Sequence, residues 1–358
     1  MQKSRLTPSQ FQIPIEKYKS GYYADSYFNR SRIILQETNP DVEVTMQVFQ
    51  RKNALLCGID ETLALLATCI ENPEKIKVKA LHDGDTISPW ETVLTIDGPL
   101  IEFIHFETVY LGFLSRQTKI ATNVHSVVKV ANNKPVLFFP SRFDLPDVQE
   151  RDGYAAFVGG AQTASTPANN FRSGLEAVGT IPHALIAAFE GNTVAATLAF
   201  DKVINPKVNR VALIDFDNDC VKTALDVARA LKDKLWGVRL DTSDRMVDRS
   251  LWEQQGRFSP TGVCPELVHN VRTALDKEGF NHVKILVSGG FDAERVAHFE
   301  ALQVPVDSYA VGNSFLNGSY SFTADVVKVN GKSCAKAGRC YNPNDRLESV
   351  NLSDWKTK

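Results

Sequence analysis

From about residue 125 onward, the chain alternates short apolar runs with longer stretches of helical period. The runs are PVLFF (135–139), VALIDF (211–216), LWGVRLD (235–241), VKILVSG (283–289) and DSYAVG (307–312). They read as strands. CVKTALDVARALKDK, PELVHNVRTALDKEG and DAERVAHFEAL fall between them and read as helices. Such alternation predicts a parallel sheet with crossover helices. Almost every strand ends in a polar or glycine cluster: PSRFD, DFDND, RLDTSD, SGGFD and GNS. In a parallel barrel the carboxyl ends of the strands build the active site. The expected fold class is therefore α/β, with a barrel-like domain whose polar rim binds a ligand.

The first third has a different rhythm. Residues 24–36 (ADSYFNRSRIILQ), 54–71 (ALLCGIDETLALLATCIE) and 106–122 (FETVYLGFLSRQTKIAT) read as helices. Between about 77 and 105, short β runs and Asp-Gly turns predict a small sheet. Residues 321–340 are β-like and basic, and are expected to pack back on the N-terminal region. The expected domains are 1–124 (an α+β open sandwich), 125–317 (the βα domain) and 318–358 (the returning segment).

The bulk numbers narrow the function. The chain has 358 residues, 43% hydrophobic and 23% charged, with a formal net charge of -2. Its pI of about 6.4 argues against a dedicated nucleic-acid binder. No apolar run approaches the roughly 20 residues of a membrane helix. The N-terminus has no apolar leader, so a cytoplasmic location is expected. The six cysteines are then expected as free thiols in a reducing cytosol. Cys334 and Cys340 lie close together, but no CxxC or nearby histidine completes a zinc set.

Several segments carry candidate chemistry. Gly289 and Gly290 permit tight turns, and Asp292 can cap the helix that follows. Amide groups at such a junction bind phosphate oxygens. Gly312 repeats the pattern at the next strand end. The pair points to a phosphate site, and the plain alternative is two ordinary βα turns. Arg239 and Asp241 point to one side of their strand; they form either a structural ion pair or a grip on ribose hydroxyls and an anion. Phe139 and Arg142 suit a flat anionic ring, which the aromatic stacks on and the guanidinium forks onto; an arginine on an ordinary loop is the alternative, and the one these residues alone favour. In GTIPHALI, Thr180 can cap, Pro182 suits a first turn, and His183 falls at the start of a helix. The helix dipole there favours a neutral, nucleophilic imidazole; a histidine without chemistry is the alternative. Asp215, Asp217 and Asp219 can help hold Mg²⁺ beside a pyrophosphate, or form a solvated acidic loop.

Together these segments resemble the nicotinate phosphoribosyltransferase family, relatives of the nicotinamide and quinolinate phosphoribosyltransferases. Asp25-Ser26-Tyr27-Phe28 is similar to the family's Asp-x-Tyr, and Glu107-Thr108 to its Glu-Thr helix. Gly179 to His183 resembles the stretch around its phosphorylatable histidine. Arg239-x-Asp241, Ser288-Gly289-Gly290 and Val311-Gly312 follow in the family's order. The resemblance implies an irregular TIM-like barrel beside the sandwich domain. It also implies transfer of a phosphoribosyl group from phosphoribosyl pyrophosphate to nicotinate in NAD salvage, with ATP as co-substrate and Mg²⁺ on the phosphates. A homodimer with active sites at the subunit interface is implied as well.

By the same resemblance, Tyr27 of the partner subunit and Phe139 sandwich the pyridine. Arg142 meets its carboxylate. Ser165 and Asp215 join the substrate-binding set, and His183 takes phosphate from ATP. Asp241 and Arg239 hold the ribose and its neighbours. Gly289, Gly290 and Gly312 cradle the 5′-phosphate, and Lys336 and Arg339 meet the pyrophosphate or ATP phosphates. The chain departs from the family at Ala161-Gln162, where an acidic residue is usual, and at Arg142-Phe143, where two arginines often stand. The cysteine cluster of some short archaeal relatives is absent, so no zinc is expected. The alternatives are nicotinamide or quinolinate as the base, or a non-catalytic nucleotide-binding relative.

Overall fold

The computed structural model describes residues 5–355. The chain divides into two compact units, one from residues up to 122 together with those from 317 on, the other from 123 to 316.

The strands of the first unit begin with β1 (Glu43–Phe49), β2 (Ala54–Leu55), β3 (Lys77–Ala80), β4 (Thr86–Ile87) and β5 (Leu94–Pro99). Those of the second are β6 (Val136–Phe138), β7 (Thr163–Ala164), β8 (Arg210–Leu213), β9 (Leu235–Leu240), β10 (Lys284–Val287) and β11 (Ser308–Val311). The chain then returns to the first unit with β12 (Thr323–Val329), β13 (Lys332–Ser333) and β14 (Glu348–Val350).

In the first unit the sheet order is β13-β12-β1-β5-β3-β14, with antiparallel pairing throughout. β1 is central and buried at all but its first position. The helix Ile59–Cys69 is buried around almost its whole circumference beside this sheet, Asp60, Glu61 and Thr62 of its first turn included. The helix expected from residue 54 begins only at Ile59, because Ala54–Leu55 pairs with Thr86–Ile87 instead. Gly58 separates the two elements at φ +103°, and a Cβ there would lie 2.8 Å from the Phe113 carbonyl oxygen. Strand β1 had no counterpart among the expected elements, although Asn39-Pro40-Asp41 just before it is a turn signal.

In the second unit the six-stranded sheet is parallel throughout, in the order β7-β6-β11-β10-β9-β8. The helices Cys220–Leu231, Pro265–Lys277 and Ala293–Ala301 each bury one stripe. The five strands expected from apolar runs all form, each shorter by one to three residues. The sheet curls into a half-barrel. Its two edge strands, β7 and β8, are not paired with each other, so the ladder stays open. Leu137, Val211, Leu286 and Ala310, from four of its strands, cluster on its concave side with Phe139. The helix Glu107–Val130 runs eight residues past the expected end at 122. Among the described residues, no helix is long and apolar enough to cross a membrane.

Candidate active site

The carboxyl ends of β8, β9 and β10 bring a string of polar groups together. Two residues past Leu213, the chain places Asp215, whose side chain is only 8% exposed. His183 meets it: Nε2 lies 3.1 Å from Asp215 Oδ2 and 3.2 Å from Oδ1. His183 opens the helix His183–Ala188, which has six residues and Pro182 at its cap. Thr180 does not cap it; the hydroxyl donates to the Ile181 carbonyl. What fixes the imidazole is packing. Ile181 and Ile186 bury against Leu213 and Ala196, with Leu185, Phe189 and Phe216 around them. The carboxylate, rather than a long helix dipole, is therefore the histidine's chief partner. Burial lifts the Asp215 carboxyl above its ordinary range; the His183 imidazole pulls it down, and the charge of Asp241 pushes it up.

Asp241 follows β9. Its Oδ1 accepts from the Ser288 hydroxyl at 2.7 Å, and its Oδ2 pairs with Arg239 Nη2 at 3.3 Å. Both readings of the Arg239–Asp241 pair thus start from a real ion pair. Ser288 begins the turn after β10, where Gly289 and Gly290 have φ of +86° and +73°. Two successive left-handed residues are cheap only for glycine. Arg295 braces this turn, its Nη1 donating to the Gly289 carbonyl at 2.9 Å and its Nη2 to that of Val263 at 2.8 Å. Asp292 caps the next helix by accepting from the Arg295 amide at 2.9 Å. Ser288 was named from sequence only as the first residue of the Ser288-Gly289-Gly290 motif, with no role of its own, and Arg295 was not named. Ser288 was legible as the residue before the two glycines, whereas nothing local marks Arg295.

At β6, Phe139 continues past the strand, its amide donating to the Val311 carbonyl at 2.8 Å. Gly312, next along β11, is packed closely: a Cβ there would sit 3.1 Å from the Phe143 ring and 3.4 Å from the Phe139 carbonyl oxygen. Arg142 is exposed, with its guanidinium 5.2 Å from the Phe143 ring centroid. Ser165 follows β7 with its hydroxyl 3.3 Å from that of Ser141, which in turn donates to Asn169 at 2.5 Å. Asp219 caps the helix Cys220–Leu231 by accepting from the Lys222 amide at 3.2 Å, so it is committed locally.

A cavity of about 490 Å³ opens on the concave side of the sheet. Its walls include Leu137, Phe139, Val211, Leu286 and Ala310, and Arg239 lines it as well. The segment Glu176–Thr180 closes one side, tied to β7 by the Val178 amide donating to the Ala164 carbonyl at 3.0 Å.

The remaining candidates belong to the first unit. Tyr27 is 58% exposed, and its hydroxyl donates to Asp25 at 3.1 Å. Thr108 donates to the same Asp25 oxygen at 2.9 Å. Beside them, burial together with Asp325 and Asp25 raises the Glu107 carboxyl to about 7. Arg339 is held by Asp325 at 2.7 Å and lies over Phe49 and Trp90. Lys336 is exposed. Cys334 and Cys340 are free and exposed. Among the described residues, no three His, Cys, Asp or Glu side chains gather as a metal cage.

Comparison with known proteins adds the family. The Quinolinate phosphoribosyl transferase N-terminal domain matches residues 25–118, and its C-terminal domain matches residues 120–315. The chain is 27% identical over 249 residues to a nicotinate phosphoribosyltransferase of Mycobacterium tuberculosis, covering 68% of this chain and 51% of that protein. It is 24% identical over 243 residues to the nicotinate phosphoribosyltransferase of Bacillus subtilis, covering 66% and 45%. The chain thus spans about half the length of the curated relatives it matches. Among solved structures, nicotinate-nucleotide pyrophosphorylase from Pyrococcus furiosus superposes with a TM-score of 0.80 at 32% identity, covering 97% of this chain and 86% of that one. Human nicotinic acid phosphoribosyltransferase shares the fold, with a TM-score of 0.67 at 18% identity over 89% and 77% of the two chains. On the two domain matches, which run through both units, the chain belongs to the quinolinate phosphoribosyl transferase family.

Proposed function

We propose that this protein is a nicotinate phosphoribosyltransferase of NAD salvage, which joins nicotinate to phosphoribosyl pyrophosphate and is coupled to ATP hydrolysis through a phosphohistidine at His183. The observation that carries the reading is the contiguous series His183–Asp215, Arg239–Asp241–Ser288 and Gly289-Gly290 at three neighbouring strand ends. The names of the curated relatives support the same reaction.

In this reading the pyrophosphate leaves C1 of the ribose, which gains oxocarbenium character, and the pyridine nitrogen attacks from the opposite face. That nitrogen is already a nucleophile, so no strong base is needed. The protein positions the partners and steadies departing charge. Asp241, oriented by Ser288 and Arg239, accepts the ribose hydroxyls. The turn at Gly289-Gly290 and the amide of Gly312 face the 5′-phosphate, and Lys336 and Arg339 serve the pyrophosphate. Mg²⁺ would supply positive charge to the leaving pyrophosphate, and the carboxylates that follow β8, Asp215 and Asp217, would help hold it. Phe139, and Tyr27 of a partner subunit in a homodimer, stack on the ring, while Arg142 and Ser165 meet its edge. The helix Ser26–Thr38, which carries Tyr27, buries none of its residues within the chain; that suits such a dimer.

For the phosphohistidine, Asp215 faces Nε2. A proton held between those atoms leaves the Nδ1 lone pair free to attack the γ-phosphorus of ATP, releasing ADP. Water then cleaves the N–P bond and releases phosphate.

Turnover with nicotinate, nicotinamide and quinolinate, each with the ribosyl donor and with and without ATP, tests this. Nicotinate should be fastest, with ATP raising its rate. Fastest turnover with quinolinate, accompanied by CO₂ release, would replace the reading; the description of the matched family favours that second possibility. No pyrophosphate release with any base would leave a nucleotide-binding relative.

A further inference from the structure

We propose that Arg295 is a positioning residue for phosphate: its guanidinium turns two successive peptide units so that the amides of Gly290 and Phe291 point together at the 5′-phosphate of the ribosyl donor. The proposal rests on the phosphoribosyltransferase reading above for the identity of its ligand, and on the turn after β10 alone for its geometry.

Arg295 Nη1 donates to the Gly289 carbonyl at 2.9 Å and to the Gly290 carbonyl at 3.3 Å. In a planar trans peptide the N–H points opposite to the C=O. Both carbonyls are drawn to one nitrogen, so the amides that share their peptide planes, those of Gly290 and Phe291, face away from it on a common side. Among the described residues, neither amide donates to a protein acceptor, and nor does that of Gly289. The Phe291 carbonyl is taken as well, by the Ser314 hydroxyl at 2.8 Å. Three successive carbonyls are thus occupied by side chains while the amides of the same turn stay open. Adjacent backbone N–H groups left in this way form a concavity for an anion. Ser314 lies in the turn after β11, so its bond also ties this turn to the one that holds Gly312.

The guanidinium is held in place from several sides. It lies 4.5 Å from the Phe291 ring centroid and 5.9 Å from that of Phe299. Nη2 is anchored on the Val263 carbonyl at 2.8 Å. Val263 stands at the far end of the loop that follows Asp241, and a Cβ on Gly262 beside it would lie 3.2 Å from the Asp244 Cα. One side chain therefore joins the phosphate turn to the loop that leaves the ribose carboxylate. Glycine at 290 makes room for it, since a Cβ there would sit 3.3 Å from Arg295 Nη1. A lysine ammonium lacks the planar fork that serves several carbonyls from one fixed plane. The helix Ala293–Ala301 gains nothing from a cation in its first turn, where the dipole favours acidic residues.

The test compares Arg295→Lys and Arg295→Met with wild type in the full chain. Lysine keeps the charge, and methionine keeps an apolar stem over Phe291. Calorimetry reads ribose 5-phosphate and nicotinate binding, steady-state kinetics reads both substrates, and thermal melting reads stability. Both variants should weaken ribose 5-phosphate about tenfold or more, with nicotinate changed less than about twofold. KM for the ribosyl donor should rise in step, and KM for nicotinate should not. Ribose 5-phosphate bound at full strength by Arg295→Lys would overturn the proposal, since charge without the fork would then suffice. So would an equal weakening of ribose 5-phosphate and nicotinate together with a lower melting temperature, which would make Arg295 a brace for the fold alone. The reaction can fail separately: a wild-type protein that binds ribose 5-phosphate through Arg295, yet releases no pyrophosphate with any pyridine base, refutes the transferase and keeps the positioning role. Normal turnover with unchanged ribose 5-phosphate binding in both variants does the opposite. Wild type that binds no ribose 5-phosphate takes the phosphate away from this turn, and the proposal with it.

Discussion

The two ends of the parallel sheet in the second unit are built to opposite plans. At the amino ends of β6, β10 and β11, charged groups are matched. Lys134 meets Glu300 at 2.6 Å, the Tyr309 hydroxyl donates to the same carboxylate at 2.5 Å, and Lys284 meets Asp307 at 3.0 Å. A larger hollow of about 600 Å³ lies there, but its charged walls are occupied with one another. At the carboxyl ends, polar groups are gathered without being fully matched. The charge of Asp241 adds to burial in raising the Asp215 carboxyl, two glycines hold left-handed turns, and Arg239 Nε, near the carboxyl end of β9, has no partner. The larger hollow is therefore the less promising one. Unmet valence alone does not separate the two ends, since Arg272 Nε on the wall of the larger hollow also lacks a partner; what sets the carboxyl ends apart is that carboxylates, a histidine and glycine turns meet there.

The comparison breaks first at Asp241. Asp241→Asn should lower kcat/KM for phosphoribosyl transfer by about a hundredfold or more, the usual loss for one group that contacts developing charge. Its melting temperature should stay within a few degrees of wild type. A large drop in stability with modest kinetic loss would make the Arg239–Asp241 pair structural, and the two ends alike. His183→Ala should come next: stimulation by ATP disappears while slow transfer persists. Equal stimulation in variant and wild type, measured as product formed per ATP hydrolysed, would remove the phosphohistidine. Arg142→Ala should raise KM for nicotinate about tenfold and leave the ribosyl donor little affected, as expected for one charge-assisted contact of about 1.5 kcal/mol. An unchanged nicotinate KM would take Arg142 off the base.

The amino end supplies the converse. Glu300 is 11% exposed and holds both Lys134 and Tyr309. Glu300→Ala strands a cation and a phenol, and should cost about 1–3 kcal/mol of stability while kcat and both KM values stay unchanged. A kinetic defect at full stability would mean that this end also serves the reaction.

How much of this was legible beforehand divides along the same line. The five strands of the second unit were visible because buried parallel strands are short unbroken apolar runs. Their polar termini pointed to the carboxyl-end site for the same reason. The partner of His183 was only half visible: Asp215 stood among the candidates, but its pairing with the imidazole depends on the packing of Ile181, Ile186 and Leu213, which no local pattern announces. The open edge between β7 and β8 was not legible at all, since closure depends on strand number and register. β7 has only two residues, too few for any periodicity.

The smallest effect is also the cleanest sign test. Burial raises the Asp215 carboxyl above its unfolded value. A carboxyl whose folded pKa is raised binds its proton more tightly in the native state. Its contribution to stability is therefore full below the unfolded pKa of about 3.9, and is lost as pH climbs through the raised folded value. At neutral pH the ionised Asp215 is then a burden on the fold, relieved in part by His183. Asp215→Asn keeps the shape and an acceptor for the imidazole. It should melt slightly above wild type at pH 7, by about a degree or two, with the difference shrinking toward pH 4. At the same time it should lose ATP stimulation, because the amide holds the histidine proton less well. Removing a polar group at this end would thus stabilise the protein and disable it, whereas Glu300→Ala would do the reverse. If Asp215→Asn instead melts below wild type throughout that pH range, the carboxylate is a structural partner of His183, and the contrast between the two ends fails at its most buried acid.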